Sequence, residues 1–101
     1  MERLKIGMIV RTSYGTGPYR ITHILTSTAP SFIESLNSNN PQPSPEHYCL
    51  TVRRLDPKDR SDYYLNGYDE NLNNVWRYND HIIMESEETT MLNLIANYNG
   101  I

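Results

Sequence analysis

Residues 4–26, LKIGMIVRTSYGTGPYRITHILT, decide the fold. The first part, 4–13, alternates: Ile6, Met8 and Val10 share one face, and Lys5, Ile9 and Arg11 share the other. Branched residues of this kind suit a pleated, half-buried strand. Tyr14-Gly15-Thr16-Gly17-Pro18 then interrupts it. Two glycines permit positive φ and Pro18 has no N–H to give a ladder, so the segment predicts a tight turn. Over 19–26, Tyr19, Ile21 and His23 alternate with Arg20, Thr22 and Ile24 until Leu25 breaks the pattern, which predicts a bulge or a strand end. The two runs read as a hairpin.

Working toward the C-terminus, residues 47–54 predict a third strand, with Tyr48, Leu50 and Val52 on one face and His47, Cys49 and Thr51 on the other. Residues 55–61 are a charged turn. Residues 62–65 predict a fourth strand, ended by Asn66-Gly67, a strong short-hairpin pair. Val75–Tyr78 and His81–Glu85 predict two more short strands around Asn79-Asp80. At Ser86 the period changes: Glu87 and Glu88 suit a first helical turn, and Met91, Leu92, Leu94, Ile95 and Tyr98 recur at helical spacing. A helix over 87–98, stopped by Gly100, would plug or flank the sheet.

Between the hairpin and the third strand, 27–46 is rich in Ser, Asn and Pro, with only Phe32, Ile33 and Leu36 as apolar anchors. It reads as a flexible loop insertion. Within it, Ser31 and Glu34 have capping-box spacing for a helical turn over 31–36. The expected architecture is therefore one mainly β domain over 1–101: a small barrel of five to six short strands with one C-terminal helix.

This pattern resembles an SH3-like small β-barrel. GMIVRTSYGTGPYRI looks like the opening hairpin of that fold, and WRYNDHIIMES is similar to its closing strands. The resemblance is one of strand lengths and turns and covers about three quarters of the chain, leaving out the 27–46 loop and the terminal helix. The small, Asn-rich texture further resembles phage or mobile-element proteins. The fold implies no shared chemistry, so function has to come from the site.

Composition narrows the function. Nine basic against twelve acidic residues leave a formal charge of −3, which disfavours a whole-surface nucleic-acid binder. No apolar run exceeds three residues, as in Met8-Ile9-Val10, so neither a membrane span nor a signal peptide is expected, and a cytoplasmic location follows. Cys49 is alone, so no internal disulfide is expected. His47-x-Cys49 is the one pair at chelating spacing, and neither it nor the Asp69–Asn74 turn has the ligand pattern of a zinc or calcium site. No nucleophile motif, phosphate loop or paired carboxylate is present, so no enzyme, metal or cofactor is expected.

Aromatic residues are the unusual feature: eight Tyr, one Trp and one Phe, nearly all with a polar tip. Such side chains suit surfaces that are wet alone and dry when bound. Tyr64 and Tyr68 share a face by spacing, while parity leaves open whether Trp76 and Tyr78 or Val75 and Arg77 point inward. Trp76 is taken as structural. Arg11, Tyr14, Arg20, Tyr64, Tyr68 and Arg77 form the expected contact set. They suit a non-catalytic module that binds a protein, such as a phage or mobile-element inhibitor of a host protein. The alternative is a nucleic-acid-binding barrel that stacks bases on Tyr and Trp beside local arginines.

Overall fold

A computed structural model describes residues 1–98. Its elements are β1 (Ile9–Thr12), β2 (Tyr19–Ser27), α1 (Phe32–Asn37), β3 (His47–Arg54), β4 (Tyr63–Tyr68), β5 (Ile82–Glu85) and α2 (Glu87–Tyr98). All pairings are antiparallel, and the strands form one open sheet in the order β4-β3-β2-β1-β5. Among the described residues no helix is long and apolar enough to cross a membrane.

The hairpin is present, but β1 is shorter than the alternation predicts. Gly7 sits at φ 94°, outside the strand region, and Ile6 is exposed rather than sharing the inner face with Val10. In β2 the irregularity falls between Ile21 and His23, three residues before Leu25. The extra residue sends His23 out and lets Ile24 pack on the core, and the strand continues to Ser27. The Thr22 hydroxyl donates to the Thr51 carbonyl at 3.1 Å across this break.

Asn66-Gly67 is not a hairpin turn. Both lie inside β4, where the register against β3 shifts between Tyr48 and Cys49 and Gly67 adopts φ 94°. The pair marks a bulge, a second use of the same positive-φ tolerance. Nor do residues 75–78 form a strand. The Asn74 carboxamide oxygen accepts from the backbone N–H of Trp76 at 2.9 Å and of Arg77 at 3.0 Å, which turns the chain instead of extending it. Bridges do form just before, Tyr68 to Asn74 and Asn73 to His81. The Ile82 N–H also donates to the Leu72 carbonyl at 2.8 Å. The segment after β4 therefore links the two sheet edges at one end.

The core lies on one face of the sheet and is built from Val10, Ile21, Leu50, Val52, Leu65 and Ile82, with Leu4, Tyr19, Tyr48, Tyr68 and Leu72 around them. Tyr48 is fully buried yet satisfied: its hydroxyl accepts from the Leu4 N–H at 3.2 Å and donates to Glu70 at 3.0 Å. Both helices form where expected. Ser31 caps α1 by accepting from the Glu34 N–H. α2 is tied at its first turn, where the Thr90 hydroxyl meets Glu85 and the Ser86 carbonyl, and Glu87 meets Arg20 at 2.9 Å. Met91, Leu92 and Ile95 are exposed, so that part of the helical stripe neither plugs nor flanks the sheet. Leu94 and Tyr98 side chains and Gly100 lie outside the described parts.

Candidate interaction groove

Strand parity puts Leu25, Cys49, Thr51, Tyr64 and Asn66 on the sheet face opposite the core: Leu25 pairs with Cys49, Cys49 with Asn66, and Thr51 with Tyr64. The chain from Ser27 through α1 stands over this face. Together they enclose a groove of about 840 Å³ lined by Phe32, Ile33, Cys49, Tyr64, Trp76 and Arg77, among others. Its volume falls in the range of natural ligand pockets.

The walls are apolar and wet. Phe32 is 77% exposed and Tyr64 67%. No residue of α1 is buried, so its Phe32, Ile33 and Leu36 spend their apolar surface on solvent. A trio of that kind in a polar loop was the one sequence hint of this wall.

The floor is fixed. The Trp76 ring stands edge-on to His47 with centroids 4.8 Å apart. Its indole N–H donates to the Ser44 hydroxyl at 2.7 Å. The Ser44 N–H in turn donates to the Thr28 carbonyl at 2.8 Å, which ties the two ends of the loop together. His47 is buried and its Nδ1–H donates to the Pro45 carbonyl at 2.8 Å, which fixes the tautomer. Burial pushes the Cys49 thiol up from its ordinary value.

Of the six expected contact residues, the groove brings together two, Tyr64 and Arg77. Tyr14 is exposed but lines a separate hollow of about 360 Å³ that also touches Arg77. Arg11 is ion-paired to Glu85 on β5. Arg20 reaches Glu87 at 2.9 Å and the Gly7 carbonyl at 2.7 Å, so both arginines serve the sheet and α2. Tyr68 is a correction: it is 2% exposed. The Gly67 bulge shifts parity by one, so Tyr64 faces out while Tyr68 turns into the core. Its hydroxyl donates to the buried Asp80 at 2.8 Å, and burial, reinforced by that carboxylate, pushes its pKa far up.

Two of the basic residues at the charged turn after β3 are ion-paired. Arg53 pairs with Asp62 at 2.8 Å and Arg54 with Asp59 at 3.7 Å, while Arg54 also lies 5.3 Å from the Tyr63 ring centroid. Comparison of the chain with family models, curated proteins and solved structures gives no match.

Proposed function

We propose that this chain is a non-catalytic binding module that engages a protein partner through the groove between α1 and the outer sheet face. The observation that carries this reading is the pairing of exposed apolar walls, Phe32 and Ile33 opposite Tyr64, over a floor held rigid by Trp76. Exposed aromatics around a preformed hollow are what anchor residues of a partner need. The linking of β4 and β5 through residues 72–74 supports the SH3-like barrel reading. A cytoplasmic phage or mobile-element inhibitor of a host protein is the setting we favour, and the free Cys49 suits a reducing compartment.

The nucleic-acid alternative has less support. Arg11, Arg20, Arg53, Arg54 and Arg77 each pair with a carboxylate, and the chain carries a formal charge of −3, both of which weigh against phosphate contacts. Affinity capture from a host lysate, with and without nuclease, tests the choice. The tagged chain should retain a protein that resists nuclease and is lost with Tyr64→Ala and Ile33→Asp. Capture that disappears with nuclease, or that ignores both substitutions, refutes the reading.

A further inference from the structure

α1 stands over the outer sheet face without resting on it. All six of its residues are exposed. At helical spacing Phe32, Ile33 and Leu36 form one apolar stripe, with Glu34 on the opposite flank. Phe32 and Ile33 line the groove from above, and Tyr64 and Cys49 line it from the sheet. Leu25, paired with Cys49, adds a further exposed apolar side chain to that face. A helix of under two turns has no stability of its own in water. Here one persists with its apolar stripe turned toward an apolar sheet and open space between them.

The segment that carries α1 is anchored at its base. The Ser44 N–H donates to the Thr28 carbonyl at 2.8 Å, and the Trp76 indole N–H holds the Ser44 hydroxyl at 2.7 Å. Above that base, among the described residues, no hydrogen bond made by residues 29–43 reaches beyond Ser27. Ala29 bonds Ser27, Glu34 and Ser35 bond Ser31, Asn40 bonds Ser38, and Gln42 bonds Asn40. No residue of α1 belongs to the core. Rocking about Thr28 and Ser44 therefore moves α1 without breaking a strand pairing or unpacking the core.

We infer that α1 is a lid. It closes by rocking on this base until Phe32, Ile33 and Leu36 pack on Leu25, Cys49 and Tyr64. Closure removes from water the apolar surface on both sides of the groove, which is its driving force. It needs no partner. Its consequence for docking rests on the reading of the groove as a protein-binding surface: a partner reaches the groove only while the lid is raised.

Cys49 is the only cysteine of the chain and lines the groove, so a second thiol on α1 reports closure as a disulfide. That bond forms only when the two Cα atoms come within about 7 Å. Ile33→Cys puts the thiol on the apolar stripe, and Glu34→Cys puts it one residue further on, facing away. Both positions are exposed, so both variants should keep the circular dichroism of the parent chain. With oxidised glutathione as the oxidant and dilute protein, Ile33→Cys should lose both free thiols to a disulfide within one chain. Glu34→Cys should do so roughly tenfold more slowly or not at all, because its Cβ points away from Cys49. The locked Ile33→Cys chain should also shield Trp76 from acrylamide quenching, and dithiothreitol should reverse this. Equal rates at the two positions describe a loop in random motion, and a disulfide between chains describes contact with a second copy. Either result, the absence of an intrachain disulfide, or a locked chain whose Trp76 is quenched as before overturns the lid. Each of these leaves the docking surface standing, since capture of a host protein through Tyr64 is read separately.

Discussion

Trp76 occupies the space that a side chain on Gly67 would need: a Cβ placed there would lie 2.5 Å from the indole Cζ3. The bulge in β4 and the floor of the groove are thus one packing arrangement. Gly67 supplies both the positive φ and the missing methyl, and the Val75 N–H closes it by donating to the Gly67 carbonyl at 2.7 Å.

Gly67→Ala should therefore cost ~2–4 kcal/mol, combining left-handed strain with overpacking against a ring that is held by Ser44 and His47 and has to move. Thermal melting checks it. Because Trp76 must shift, the variant should also change its fluorescence, which a strand substitution away from the indole, such as Thr51→Ala, should not do.

Tyr64 and Tyr68 should behave as opposites. Tyr64→Ala removes an exposed side chain and should change stability by no more than about 0.5 kcal/mol. Tyr68→Phe deletes the hydroxyl that Asp80 accepts from inside the protein and should cost ~1–3 kcal/mol. Urea denaturation of the two variants measures both, and equal effects would contradict the register of β4.

Acid should weaken the fold through two carboxylates. The Tyr63 hydroxyl at 2.7 Å, followed by the Ser61 N–H, holds Asp59 below its ordinary pKa. Burial alone would raise Glu70, but the N–H of Arg3, the Tyr48 hydroxyl and the N–H of Glu2 outweigh it and hold it low. Groups depressed in the folded state contribute stability above their unfolded values, about 4 for both types, and lose it as pH falls through the folded ones. The melting temperature should be flat near neutrality and fall below about pH 4. Asp59→Asn and Glu70→Gln should each flatten that decline while lowering the plateau.

The 27–46 segment should be the first site of proteolysis. Phe32 and Leu36 are exposed on a six-residue helix with no buried residue, whereas the strands around it are laddered on both sides or close a core. Chymotrypsin should nick after Phe32 or Leu36 and leave a folded two-piece product, read by mass spectrometry and circular dichroism.

The local chemistry of the sequence was enough for the hairpin of β1 and β2, the alternation of β3, the Ser31 cap and the span of α2. Each depends on neighbours a few residues apart: glycines that permit a turn, branched residues two apart, a hydroxyl three residues before an amide. Tertiary structure decided what local patterns leave open. Asn66-Gly67 carries the same left-handed tolerance whether it turns a hairpin or bulges a strand, and only the Trp76 ring against the bulge selects the second. That choice shifts strand parity by one, which buries Tyr68 and exposes Tyr64 although spacing puts them on one face. It also builds the groove, because Phe32 and Ile33 are far from Tyr64 in sequence and meet it only once the ends of the loop are tied at Thr28 and Ser44.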